Sequence, residues 1–214
     1  MCGRFTLHSN QKELAEAIAL ALPETLEPHS NIGPGREILS LSQPKDEGPR
    51  ATLMHWGLKT PQNFHVNARI ETADTAPRFR ENWACYRCLV PANGFYEWYA
   101  DGITKQPYYI YPTDRELCFL AGLWYPSGHE QGPDTCLLLK SIEKVHHRMP
   151  VILPTAAHDA WLRNELGKRE AVRLANEVPF AKHTVSRRVN SVQNNDSGLI
   201  DSTAPRHYEQ MHLF

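Results

Sequence analysis

The sequence predicts an α+β fold in which a curled, barrel-like antiparallel β-sheet is flanked by helices. Short apolar runs recur between turn-forming segments through the middle of the chain, without helical spacing between them. Helical spacing is confined to one stretch near the N-terminus and two near the C-terminus. No run of 18 apolar residues occurs, and apolar residues make up 41% against 22% charged, so neither a membrane span nor a disordered chain is indicated.

Taken in order, the first element is a helix. Ser9-Asn10 offers a cap, Glu13 completes an Asn10-x-x-Glu13 box, and Leu14, Ile18, Ala21 and Leu22 follow at helical spacing until Pro23 stops it. Residues 23–36 hold three prolines and two glycines and read as an irregular surface loop. Strands are expected at 38–41 and 51–56, joined by the polar segment 44–49, and then at 87–90, 96–99, 108–111, 118–124 and 135–139. Thr155 caps a helix carrying Ala156, Trp161, Leu162 and Leu166. Residues 168–178 present Ala171, Val172, Leu174, Ala175 and Val178 on one face. A last strand is expected over 183–190. The 214 residues fit a single domain over 2–201 with a peripheral tail over 202–214.

A net charge of −1 excludes a global field for polyanions, so any nucleic-acid site must be a local patch. Residues 61–83 could supply one. His65, Arg69, Arg78 and Arg80 alternate with Phe64, Phe79 and Trp83, a mixture that suits phosphate contact with base stacking and equally an ordinary solvated loop. The N-terminus has no basic segment followed by an apolar one, so the cytoplasm is the expected compartment, with reduced thiols. Cys85-x-x-Cys88 lacks a second ligand pair for zinc, and Cys85, Cys88, Cys118 and Cys136 read as buried small hydrophobes.

Chemistry concentrates elsewhere. Loss of Met1 would leave Cys2 with an α-amine of pKa about 7.7–8.0 beside a thiol of about 8.5. Such a 1,2-aminothiol condenses with an aldehyde through an imine to a thiazolidine. Gly3 adds no bulk, and Arg4 brings a fixed cation. Asn67, Glu97 and His146 are polar residues in apolar or strand-like settings. Flanked by Tyr96 and Trp98, Glu97 could be desolvated and act as general acid or base near neutrality, or it could face outward on the alternate side of its strand. His146 can titrate near neutrality, as can His147 beside it.

These residues stand in blocks: Met1-Cys2-Gly3-Arg4-Phe5, Asn31-Ile32-Gly33-Pro34, Met54-His55-Trp56-Gly57-Leu58, Asn67-Ala68-Arg69-Ile70-Glu71-Thr72, Cys88-Leu89-Val90-Pro91-Ala92-Asn93-Gly94-Phe95-Tyr96-Glu97-Trp98, Ala121-Gly122-Leu123-Trp124 and His146-His147-Arg148-Met149-Pro150, with Val189-Asn190 and Asn195-Asp196 near the end. In them the chain resembles the SRAP family, the SOS-response-associated peptidases understood as abasic-site shields of single-stranded DNA. The resemblance implies an SRAP domain in which Cys2 forms a thiazolidine with the ring-opened aldehyde. Asn67 would orient the nucleophile, Glu97 would serve as general acid/base, and His146 would assist sugar ring opening. Arg4, Arg69 and Arg148 match phosphate-binding positions. The family label further implies autocatalytic removal of Met1 by Cys2 with Glu97, and related members cleave DNA through the imine as a lyase side-activity. The expected partner is single-stranded DNA containing abasic sites. No metal, cofactor or membrane is implied; a monomer is the default, and association with the nucleoid would follow in a bacterium. The sequence departs from the pattern after Trp56-Gly57-Leu58, where Phe64 replaces or shifts a stacking tryptophan, and at Leu139-Lys140-Ser141. Two alternatives remain: a cysteine peptidase acting on other proteins through Cys2 and His146, and a non-covalent nucleic-acid-binding module.

Overall fold

A computed structural model describes residues 3–101, 104–127, 134–141 and 149–203. Cys2, His146 and Arg148 lie outside the described residues.

The chain opens with strand β1 (Phe5–Leu7) and helix α1 (Gln11–Ile18). The predicted capping box is present: Asn10 accepts from Lys12 N and Glu13 N, and Glu13 Oε2 accepts from Asn10 N at 2.9 Å. The helix ends a turn earlier than Pro23 requires, because Ala19 takes a left-handed φ of 55° and its N–H caps Ala15 O. The expected loop at 23–36 contains strand β2 (His29–Ile32), which pairs with β1. Its composition argued for irregularity, but a neighbouring strand edge supplies the hydrogen bonds.

Strands β3 (Glu37–Ser42) and β4 (Arg50–Trp56) form the expected hairpin. After the two-residue strands β5 (Leu58–Lys59) and β6 (Phe64–His65) come β7 (Asn67–Arg69), α2 (Ile70–Ala73) and α3 (Arg80–Cys85). The long strands are β8 (Arg87–Ala92), β9 (Gly94–Asp101), β10 (Thr104–Pro112), β11 (Cys118–Tyr125) and β12 (Thr135–Ser141). Short β13 (Met149–Pro150) and β14 (Ile152–Leu153) lead to a 3-10 turn at Thr155–Ala157, then α4 (His158–Leu162) and α5 (Lys168–Ala175). The predicted last strand is shorter and earlier, β15 (Phe180–Thr184), and Arg187–Asn190 is a 3-10 turn instead.

Five strands close a barrel in the order β12-β4-β3-β8-β11 and back to β12. The expected barrel-like sheet is present, and its pairings are antiparallel except at the seam, where β12 runs parallel to both β4 and β7. Close approach inside the barrel falls at Gly122, where a Cβ would lie 2.8 Å from Cys88 Sγ and 2.8 Å from Leu137 O. Cys88, Cys118 and Cys136 are buried as expected, but Cys85, at the end of α3, is exposed.

A second, antiparallel sheet runs β2-β1-β9-β10-β15. Around β1 it is covered on both faces. One face sets Phe5, Phe95 and Ile110 into the main core, where Phe5 meets Trp56 of the barrel at 5.3 Å between ring centroids. The other face builds a smaller core of Tyr96, Tyr109, Val185 and Val189, with Trp98, Tyr111 and Ile200 packed against it. That second cover is the segment around the 3-10 turns Arg187–Asn190 and Ser197–Ile200.

Candidate active site

Strand register places Glu97. On β9, Phe95 opposes Phe5 and Gly94 opposes Thr6, and Tyr96 N donates to Arg4 O at 2.9 Å. Continuing this antiparallel register by one residue sets Glu97 opposite Gly3. Side chains alternate along a strand, so Gly3, Phe5, Phe95 and Glu97 share the face turned to the barrel. On the other side of β9 the partner of Glu97 is Tyr108. The carboxylate is 1% exposed, which settles the two orientations left open by sequence in favour of the inward one. Gly3, facing it just ahead of β1, has no side chain to cover it, and residue 2 is next in the chain.

Arg4 and Tyr96 belong to the opposite face. The Arg4 guanidinium donates to Asn31 Oδ1 at 2.8 Å, Val189 O at 2.7 Å and Asn190 O at 3.2 Å. Asn31, 1% exposed, donates from Nδ2 to the carbonyls of Val189, Ser191 and Asn194. Tyr96 donates to Ser30 O at 2.7 Å; burial, with Tyr109 adding to it, pushes its hydroxyl far above the ordinary phenol range, so it stays a donor. Trp98 Nε1 donates to Asn190 Oδ1 at 2.8 Å. Arg4, Asn31, Tyr96 and Trp98 thus clamp the chain around residue 190 over the back of the strands that carry Glu97.

Asn67 and Arg69 stand on β7, whose parallel pairing sets Asn67 beside Leu138 and Arg69 beside Lys140. Trp56 Nε1 donates to Val66 O at 2.9 Å. Asn67 therefore follows directly on the residue that holds Trp56, and Trp56 packs on Phe5 of the Glu97-bearing sheet. Arg69 is exposed and makes no ion pair with another described residue. The other side of β12 is taken by β13, with Lys140 opposite Pro150 and Ser141 opposite Met149. Lys140, 2% exposed, was passed over in the sequence as a mere departure; a cation following the apolar run Cys136–Leu139 was the available signal.

The basic and aromatic segment divides. Trp83 turns inward, edge-on to Trp161 at 5.6 Å, and Phe79 packs on the core. Arg87, 3% exposed, fills the gap between them: its guanidinium lies 4.3 Å from the Trp83 ring and 4.7 Å from that of Trp161. What remains outside is Phe64, His65, Arg69, Arg78 and Arg80. Phe64 is 48% exposed and lies over Gly57, whose φ of +125° and missing Cβ make room for the ring. His65 meets the Arg78 guanidinium; partial burial and that charge hold it below the ordinary histidine range. Among the described residues no group of three or more His, Cys, Asp or Glu side chains could hold a metal ion, and no helix is long and apolar enough to cross a membrane.

The chain is similar to the abasic site processing protein YedK of Escherichia coli, 33% identical and aligned over 94% of this chain and 99% of that protein. YoqW of Bacillus subtilis, which carries the same description, is 32% identical over 94% of this chain and all of its own length. The vertebrate relative HMCES of Gallus gallus, again an abasic site processing protein, is 37% identical over half of this chain and 41% of its own. Among solved structures, a phage-related protein of Bordetella bronchiseptica superposes with a TM-score of 0.71 at 26% identity, covering 87% of this chain and 95% of that one. A protein of Bacteroides thetaiotaomicron shares the fold, with a TM-score of 0.77 at 20% identity over 95% of this chain and all of its own. The profile described as SOS response associated peptidase (SRAP) matches residues 1–192, and the chain belongs to that family.

Proposed function

We propose that this protein processes abasic sites in single-stranded DNA by trapping them covalently through Cys2 after loss of Met1. The observation that carries the reading is the buried Glu97 carboxylate, set by strand register opposite Gly3, the residue that follows Cys2 in the chain. Family membership and the naming of the relatives as abasic site processing proteins support the substrate.

In the reaction, the neutral α-amine adds to the C1′ aldehyde of the ring-opened sugar, and the carbinolamine loses one water to give an imine. The thiol then adds to the imine carbon, its proton passes to the nitrogen, and the thiazolidine closes. The net change is one water released. Glu97 is suited to the proton movements, protonating the departing hydroxyl and then accepting a proton from the thiol. Asn67 is assigned to orienting the nucleophile and His146 to opening the sugar ring. Arg69, exposed and without an ion pair among the described residues, suits phosphate, and Arg148 is assigned the same part. Arg4 would meet phosphate only with donors beyond those already given to Asn31, Val189 and Asn190. Contacts to the backbone of a baseless site carry no sequence preference. Cys2 with Glu97 also fits self-removal of Met1, and an imine that eliminates before the thiol closes would give strand cleavage.

The test is incubation with a uracil-containing oligonucleotide treated with uracil glycosylase, followed by denaturing electrophoresis. A heat-stable adduct is expected from the wild type, none from Cys2→Ala, and adduct formation slowed by about 10²-fold or more for Glu97→Gln. An equal yield from Cys2→Ala, or none from the wild type, overturns the reading. Turnover of unrelated peptides without DNA would favour a peptidase.

A further inference from the structure

A second feature occupies the Glu97 face of the outer sheet. On β10, Tyr108 is the register partner of Glu97, and on β9, Tyr99 stands two residues beyond it, so side-chain alternation brings both tyrosines to the same face as the carboxylate. One strand spacing and two residues of rise put them about 5 Å and about 7 Å from Glu97 along the sheet. Their rings meet at 4.7 Å with an interplanar angle of 59°. From the edge strand β15, Lys182 opposes Ile110 and lies on this face too. Its ammonium lies 4.5 Å from the Tyr99 ring and 5.5 Å from that of Tyr108, and it donates to Tyr99 Oη at 3.3 Å.

The burial gradient runs outward. Glu97 is buried, Tyr108 and Tyr99 are half-buried, and Lys182 is exposed. On the far face Tyr96 and Tyr109 are closed into the small core, with Tyr111 packed against it. The sequence segment singled out for stacking, 61–83, contributes only Phe64 as an exposed ring, on the barrel side of the molecule.

We infer that Tyr108, Tyr99 and Lys182 form a stacking and phosphate-contact track for the nucleotides that flank the trapped abasic site. An aromatic pair gives every base a face to stack on whatever its identity, and a lysine at the outer end supplies the phosphate cation that a chain of net charge −1 must provide locally. The assignment rests on the covalent-trapping reading above for the position of the reacting sugar, but the track binds intact single strands as well.

The experiment uses the full chain and an undamaged, fluorescently labelled single-stranded oligonucleotide, titrated at several salt concentrations by anisotropy, alongside adduct formation with the abasic oligonucleotide. Tyr99→Leu is expected to weaken binding by about 5-fold or more, and Tyr99→Phe to keep most of it. Lys182→Gln is expected to weaken binding and to reduce the slope of log affinity against log salt by about 0.7, with Lys182→Arg restoring both. Lys182 is exposed, so its variants carry the test even if Tyr99→Leu does not fold. Unchanged affinity and salt slope in Lys182→Gln, or binding by Tyr99→Leu equal to Tyr99→Phe in folded protein, overturns the inference. A wild type that forms no adduct, with the track variants still impaired, would refute the trapping reading and leave the track standing.

Discussion

Asn31→Ala should loosen the back of the active-site sheet, and the structure sets the magnitude. The Asn31 amide donates at 2.9 Å to Ser191 O and 2.9 Å to Asn194 O, with a longer 3.3 Å contact to Val189 O. Its oxygen accepts from the charged Arg4 guanidinium at 2.8 Å. Two neutral bonds at about 1 kcal/mol each and one charged bond near 1.5 kcal/mol sum to a loss of about 3.5 kcal/mol, because the partners are left buried without replacement. In a domain of this size each kcal/mol moves Tm by about 2–4 °C, so thermal unfolding should shift down by about 7–14 °C. Asn31→Asp gives a sharper check. It keeps the shape and the Arg4 bond but points a carboxylate at three carbonyls, so it should be at least as unstable at neutral pH, and its deficit relative to wild type should shrink as pH falls towards about 4 and the carboxyl protonates. A fall of less than about 2 °C for Asn31→Ala would refute the clamp.

Three other outcomes are expected. Gly122→Ala should cost about 1–3 kcal/mol in urea unfolding, because its Cβ would lie 2.8 Å from Leu137 O in a closed ring of strands that cannot open locally. Arg87→Lys should cost about 2–4 kcal/mol, since a lysine cannot keep both the stacking between Trp83 and Trp161 and the bonds to Trp83 O at 2.8 Å and Leu166 O at 2.6 Å; burial lowers the Arg87 pKa to about 10, still charged at neutral pH. His29 is held down to about 4 by burial and then by Arg36, against 6.5 unfolded, so the unfolded chain binds the extra proton and stability should fall as pH drops from about 6.5 to about 4. Arg36→Gln should shift the lower edge of that window upward, as read by histidine NMR titration.

What could be read beforehand was what local sequence decides. The Asn10–Glu13 box is a matter of three residues and formed as expected. The Glu97 orientation could not be read, because alternation predicts one solvated face and at Tyr96 and Glu97 the sheet has none: both are buried, one under residues 185–200 and one against the barrel. Those covers lie some ninety residues away in sequence for Tyr96, and the partners of Asn31 lie 158–163 residues away. The resemblance matches Arg4 to a phosphate-binding position, and only strand register reveals that its side chain runs on the face opposite Glu97, to Val189 and Asn190. The parallel seam of β12 with β4 and β7 was hidden for the same reason, as no local pattern records which distant edge closes a barrel. Trp83 and Arg87 were ambiguous in composition, and their partners, Trp161 and Leu166, come from the far end of the chain.

The central claim is a one-water condensation at an N-terminal cysteine. Intact mass spectrometry of the purified adduct measures it directly. The account predicts a mass equal to the protein without Met1 plus the abasic oligonucleotide minus one water, unchanged by borohydride and mapping to the peptide that begins Cys2-Gly3-Arg4. Retention of Met1 in the crosslinked species, or a crosslink mapping to a lysine such as Lys140, would contradict it.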